Sequence, residues 1–222
     1  RAFLKDAPII VLDEATPALD NKADAAQIDS DSECKAFGIA YAKGILKTLG
    51  IKEPEVFVGL GWDVGTQQTF DLDSSIILFD GGNNVVDMVY HKQPNSQDLA
   101  IAHQGDNKLG FGEGDDEIIS VLLSQLNPSI TSAAVIVNSF KGNSLIDLRS
   151  GFIRLFDDVG PIGCHILSGS KDSTGLFLGI FRMDYGSNMW KFQALIEPIK
   201  GIQATESVND VKFLLDNYIL PN

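Results

Sequence analysis

SIILFDGGNNVVDMVY, residues 75–90, holds two apolar runs, Ser75–Phe79 and Val85–Tyr90, on either side of Asp80-Gly81-Gly82-Asn83-Asn84. A glycine- and asparagine-rich break of this length between two β-type runs is the signature of a β-hairpin. Working outward, Val56-Phe57-Val58, Ala133–Val137, Phe152–Phe156, Leu176–Phe181 and Trp190–Ile196 read as further short strands. In the last of these, Trp190, Phe192, Ala194 and Ile196 alternate with Lys191, Gln193 and Leu195, which predicts one apolar face. Many short strands with no long helices between them argue for a mainly-β sandwich rather than a βαβ fold.

Three segments read as helix or remain divided. Phe37, Tyr41, Ile45 and Leu49 form an i, i+4 series that predicts a helix over 36–49, with Gly38 and Gly44 against it. Ile118–Leu126 carries apolar residues at 118, 119, 122, 123 and 126, which fits a helix, yet a strand followed by a turn is an equal reading. Near the C-terminus, Ser207 and Asp210 have capping-box-like spacing ahead of a stripe formed by Val208, Val211, Leu214, Leu215 and Tyr218. That pattern predicts an amphipathic helix packed on the sandwich.

The chain has 222 residues, 21 of them glycine, and a formal net charge of −13. Such an acidic protein repels phosphate backbones and anionic lipid, so nucleic acid and membrane surfaces are not expected partners. No apolar run is long enough for a transmembrane helix and no signal peptide is evident. Cys34 and Cys164 lack the CxxC or CxxH spacing of a zinc site. They read as cytosolic thiols, with a mutual disulfide as the alternative. A start at Arg1 reads as a fragment or a processed product. By composition the chain divides at 1–30, 31–55 and 56–222.

The first of these pieces, RAFLKDAPIIVLDEATPALDNKADAAQ, has the order apolar strand, Asp13-Glu14, turn, polar helix. It resembles the Walker B and D-loop region of an ABC-transporter ATPase. The resemblance implies that Asp13 matches a magnesium-holding residue and Glu14 the residue that polarises the attacking water. The remainder of that machinery is missing. There is no G-x-x-x-x-G-K-[ST] phosphate loop, no LSGGQ signature and no switch histidine, and Pro17 stands where that family usually has serine. With nothing to hold the phosphates, the stretch reads as a remnant without ATPase activity.

The segment GDNKLGFGEGDDE, residues 105–117, contains five acidic residues and four glycines. Carboxylates this dense repel one another unless a cation neutralises them. Hard oxygen donors on a flexible loop suit calcium better than magnesium. The spacing is not that of an EF-hand. Upstream, Phe70-Asp71-Leu72-Asp73 places two carboxylates at i, i+2, about 7 Å apart along one strand face.

VGLGWDV at 58–64, FDLDSS at 70–75, GDNKLGFGEGDDE at 105–117, GFIRLFD at 151–157, and FR at 181–182 with WKFQA at 190–194 occur in one order. Together they resemble the TerD (tellurium-resistance) family across about residues 43–222. The resemblance implies a TerD-like β-sandwich with a few short helices, and a strand over 118–123. It also implies a calcium site built from Asp71, Asp73, Asp106, Asn107, Asp115, Asp116 and Glu117. Glu113 is a further candidate, standing where aspartate is common, and Phe111 stands where an acidic residue is common. Family members are linked to tellurite and other chemical stress, so the implied role is a non-enzymatic, calcium-binding stress-response protein of the cytoplasm. Its partners would be the calcium ion and other stress-response proteins. Two rival readings are an ATP-binding subunit fragment fused to a structural module, and a cyclic-nucleotide-binding relative. Against the second, the chain lacks a basic or glycine-rich phosphate cradle.

Gly59-Leu60-Gly61-Trp62-Asp63 reads as a turn, with Trp62 a core anchor and Asp63 a further ligand or a turn cap. Arg154 and Arg182, inside apolar strands, are expected to pair with the acidic loops. His91, His103 and His165 form no nucleophile pattern, and His103 reads as a surface residue.

Overall fold

The computed structural model describes residues 47–50, 55–63, 70–110, 114–158, 160–167 and 172–218. The strands are β1 (Lys47–Gly50), β2 (Val56–Asp63), β3 (Leu72–Phe79), β4 (Val85–Val89), β5 (Ile101–His103), β6 (Glu117–Val121), β7 (Ser132–Ser139), β8 (Ser150–Phe156), β9 (Pro161–Ile166), β10 (Gly175–Asp184) and β11 (Met189–Ile199). A helix, α1 (Ala204–Tyr218), follows, and 3-10 turns occur at Leu123–Gln125 and Leu145–Asp147. The strands form a six-stranded sheet, β1-β11-β10-β7-β3-β4, and a five-stranded sheet, β5-β6-β2-β8-β9, antiparallel throughout. The fold is a β-sandwich. No helix among the described residues is long and apolar enough to cross a membrane.

The hairpin at 75–90 forms as its turn chemistry predicts. Asp80 Oδ1 accepts hydrogen bonds from the backbone N–H groups of Gly82 and Asn84, and Asn83 takes a left-handed φ of 56°. Between the sheets lies a core that includes Val58, Leu60, Trp62, Leu72, Ile76, Ile119, Val135, Ile153, Phe181 and Phe192. The six-stranded sheet is apolar on its second face as well. There Ile77, Phe79, Ile136, Phe177, Ile180 and Leu195 pack beneath Val211, Leu214 and Leu215 of α1. Strands β3 and β7 are therefore buried along their whole length. The apolar face expected for β11 belongs to the inter-sheet core, while Leu195 and Ile199 contribute to the core under the helix.

Several expectations change. Gly59–Asp63, read as a turn, continues strand β2. Lys47–Gly50 is a strand paired to β11, so the helix read over 36–49 does not extend through Leu49, and its first part lies outside the described residues. The divided reading of 118–126 resolves into strand β6 followed by the 3-10 turn at Leu123. Ser207 is no cap, because α1 already begins at Ala204. Its buried Oγ instead accepts a hydrogen bond from Asn138 Nδ2 (2.9 Å), tying the helix to β7. Tyr218, placed on the apolar stripe, is exposed. Residues 1–46, including the ATPase-like stretch and Cys34, lie outside the described residues.

Candidate metal centre

In β2 the residues Val56, Val58, Leu60 and Trp62 point into the core, and Gly59 and Gly61 alternate with them on the outer face. Those glycines leave room for the acidic segment. A Cβ on Gly59 would lie 2.5–2.7 Å from the Asp115 carboxylate, and one on Gly61 would strike the Phe152 ring. Asp115 is held in this space by Arg154 of β8, whose Nε and Nη2 donate to its two oxygens at 3.0 and 2.7 Å. The Asp115 and Arg154 side chains are 3% and 7% exposed. Burial pushes the Asp115 carboxyl up, and Arg154 offsets part of that rise. The Arg154 guanidinium also lies over the Phe156 ring at 4.5 Å. Asp116 turns the other way. Its Oδ2 accepts from the Trp62 backbone N–H (2.8 Å) and its Oδ1 from Asn107 Nδ2 (2.9 Å). Asn107 Oδ1 in turn accepts from the N–H groups of Leu109 and Gly110.

A second carboxylate group lies close by and is built differently. Asp73 of β3, Asp106 of the β5–β6 loop and Glu117 of β6 bring oxygens within 4.8 Å of one another. Glu117 Oε2 accepts from the Ser74 backbone N–H (2.8 Å) and from Ser74 Oγ (2.9 Å), and His103 Nε2 lies 3.4 Å away. Glu117 Oε1 is buried with no hydrogen-bond partner. At Asp73, Oδ1 lies 3.0 Å from His91 Nδ1 without forming a hydrogen bond to it, and Oδ2 is buried without a partner. Burial, then the charges of Glu117, Asp71 and Asp106, push the Asp73 carboxyl up to about 8. Asp71 stands just ahead of β3, its carboxyl raised by burial and by Asp106 and lowered by Lys141. Lys108 meets Asp106 at 3.6 Å at the exposed rim, a contact of little energetic weight.

The structure thus brings together Asp73, Asp106 and Glu117, with Asp71 beside them. Asp115, Asp116 and Asn107 spend oxygens on protein donors elsewhere, and Glu113 lies outside the described residues. Three contributors escaped the sequence reading: Ser74, His91 and His103. His103, read as a surface residue, has a side chain only 1% exposed against Glu117. Arg154 does pair with the acidic loop, and Trp62 is a core residue. Buried carboxylate oxygens without donors are costly, and a dication is the group that relieves them. The donor set therefore fits a divalent cation.

A family model, the TerD domain, matches residues 42–203. The chain belongs to the TerD family. It is 31% identical to the tellurium resistance protein TerZ of Serratia marcescens over 169 residues, covering 71% of this chain and 86% of that one. It is 29% identical to the tellurium resistance protein TerD of Alcaligenes sp, over 63% of this chain and 78% of the relative. General stress protein 16U of Bacillus subtilis is 30% identical, over 54% and 69%. Among solved structures, a Streptomyces coelicolor homologue of the telluride resistance protein TerD superposes with a TM-score of 0.62 at 18% identity, covering 68% of this chain and 93% of that one. The SAV2460 protein, described as of unknown function, gives 0.63 at 22% identity with the same coverage. Both likenesses concern the TerD fold.

Proposed function

We propose that this TerD-family chain is a non-enzymatic, calcium-binding protein of the cytoplasmic response to tellurite-type chemical stress. The observation that carries the metal reading is the pair of sealed oxygens, Asp73 Oδ2 and Glu117 Oε1, which lack donors beside Asp106. The stress role comes from the relatives, named for tellurium resistance and general stress. Asp73, Asp106 and Glu117 would hold the ion, with Asp71 completing the rim. Ser74, His91 and His103 steady the inner carboxylates by contacting one oxygen of each. The bound cation would supply charge neutralisation at the two buried carboxylates, which Lys108 at the exposed rim of Asp106 does not reach by contact.

The consequence is structural. Asp73 belongs to the six-stranded sheet and Glu117 to the five-stranded sheet, while Asp106 lies on the loop between β5 and β6. A shared ion would fasten the sheets and that loop together, and so set the shape of a surface available to stress-response partners. A ligand that binds only the folded state stabilises it by about 2.7 kcal/mol at a hundredfold excess over Kd. For a domain of this size that corresponds to roughly 5–10 °C in Tm. Melting the protein in calcium, in magnesium and in chelator tests the reading. The expected result is a rise of that order with calcium and a smaller one with magnesium; an unchanged Tm refutes it.

A further inference from the structure

Three lysines from three separate segments border the carboxylate group. Lys108, on the β5–β6 loop, lies 3.6 Å from Asp106. Lys92 follows His91, whose ring is 3.0 Å from Asp73. Its Nζ stands over the Phe140 ring at 5.3 Å and donates one proton to Gln203 Oε1 at 3.1 Å. Lys141 follows Phe140, whose backbone N–H donates to the Asp71 carbonyl at 2.8 Å. All three lysines are exposed. Asp73 and Glu117 are buried and Asp106 is exposed, so the group opens to solvent on the side of Asp106 and Lys108.

We propose that the cation-loaded centre binds a phosphate monoester, held by Lys92, Lys108 and Lys141 against the exposed side of the ion. The inference rests on the reading of this centre as a dication site. Two features carry it. The first is charge. Asp71, Asp73, Asp106 and Glu117 against three lysines leave a formal local charge of −1, in a chain of net −13. A dication turns the local charge to +1. At physiological salt the screening length is about 8 Å, so an approaching anion meets that local charge rather than the acidic surface as a whole. The second is the shortage of oxygens. Calcium seeks six to eight, but Asp115, Asp116 and Asn107 are engaged with Arg154, Trp62, Leu109 and Gly110. The positions left over face solvent, where the lysines stand. A phosphate monoester has three strong acceptor oxygens, enough to meet the ion and the lysines together. Lysine serves phosphate as a movable point charge and needs no fixed fork geometry. The three lysines are far apart in the sequence, and only the fold gathers them, which is why no phosphate-binding motif marks them.

The test is calorimetric titration of the full chain, as wild type, Lys92→Gln and Lys141→Gln. The titrants are calcium chloride and, in excess calcium or in chelator, glycerol 1-phosphate. Phosphatidic acid in phosphatidylcholine vesicles presents the same group on a membrane, and co-sedimentation reads its binding. The expected result is that the wild type binds the phosphate at least tenfold more tightly in calcium than in chelator. Each substitution should weaken the phosphate about threefold or more. Each should leave calcium affinity unchanged or up to about threefold tighter, because a neighbouring positive charge is gone. A merely structural role for the lysines would weaken both ligands, and that outcome overturns the proposal. Phosphate binding that is indifferent to calcium, or to both substitutions, overturns it as well. Binding of glycerol 1-phosphate assigns a free phosphate ester as the ligand, and capture by vesicles alone assigns a lipid headgroup. Calcium binding with neither phosphate source bound overturns this inference alone. No calcium binding to the wild type overturns the dication reading with it.

Discussion

Two groups of carboxylates come from the same acidic segment, and they are solved in opposite ways. Asp115 and Asp116 are matched by the protein itself: a guanidinium clamps the first, and a backbone N–H and an amide hold the second. One residue further on, Glu117 joins Asp73 and Asp106 in a group where one oxygen of each inner carboxylate, Asp73 Oδ2 and Glu117 Oε1, is buried with no hydrogen-bond partner. The difference teaches that acidic density does not identify a metal site. What identifies one is the shortfall between the acceptors buried and the donors provided. A carboxylate whose oxygens are all paired contributes to the apo fold. One with a sealed, unpaired oxygen destabilises the apo fold until a cation arrives.

The largest expected effect lies in the self-sufficient group. Arg154→Met leaves the Asp115 carboxylate buried and unpaired, and should cost about 3–5 kcal/mol. Urea unfolding in calcium and in chelator should show the same loss in both. A loss that appears only in calcium would break the comparison by making Asp115 part of the metal centre.

Glu117→Gln probes the other group. The glutamine carbonyl can keep the Ser74 hydrogen bonds, so the apo protein should lose little, and the relief of repulsion with Asp73 and Asp106 should offset that loss. The calcium-dependent gain of about 2.7 kcal/mol at a hundredfold excess over Kd should vanish. Melting with and without calcium reads both quantities. A retained calcium shift would remove Glu117 from the ligand set.

The pH dependence sharpens the contrast further. In chelator, the native Asp73 carboxyl holds its proton up to about 8, whereas the unfolded one releases it near 3.8. The native state therefore binds more protons across that window, and stability falls as pH rises through it. Relaxation around the exposed Asp106 limits the effect to about 1–2 kcal/mol. Asp73→Asn should remove the slope. His165 works in the reverse sense. Burial holds it down to about 4, so the unfolded state takes up a proton first, and stability falls as pH drops from 6.5 towards 4. That acid slope should persist in Asp73→Asn and in calcium. Urea midpoints across pH 4–9 separate the two. A single slope abolished by calcium at both ends would mean that His165 senses the centre as well.

Much of this architecture was legible in the residues. The hairpin at 75–90 follows from local turn chemistry, and the pairing of Arg154 with the acidic loop follows from charge. Gly59–Asp63 shows the limit: its glycines read locally as a turn, yet the stretch continues strand β2, and the glycines are there because a side chain would strike Asp115 or Phe152. Lys47–Gly50 was misread because an i, i+4 series is a local pattern, while its strand character comes from pairing with β11, far along the chain. Ser207 looked like a cap for the same reason. Its burial against Asn138 depends on where α1 docks. Within the site, the acidic residues were all visible, but their division into paired and unpaired groups was not. That division depends on which groups the two sheets bring near: Ser74, which donates to Glu117, and the side chains of His91 and His103, which only approach, are separated from Asp106 and Glu117 in sequence or carry no pattern of their own.

The smallest effect is the most discriminating. Asp116 is adjacent to Glu117 and equally acidic, so any account based on acidic density would count it as a ligand. Its two oxygens instead accept from the Trp62 N–H and from Asn107 Nδ2. Asp116→Asn keeps one acceptor and turns the other into a donor, so one of these bonds is lost. The expected cost is about 1 kcal/mol, the same in calcium and in chelator, with the calcium-induced rise in Tm intact. Loss of that rise would mean that Asp116 abandons Trp62 for the ion on binding. The line between carboxylates that the protein satisfies and those left to a cation would then be redrawn by the metal itself rather than set by the apo fold.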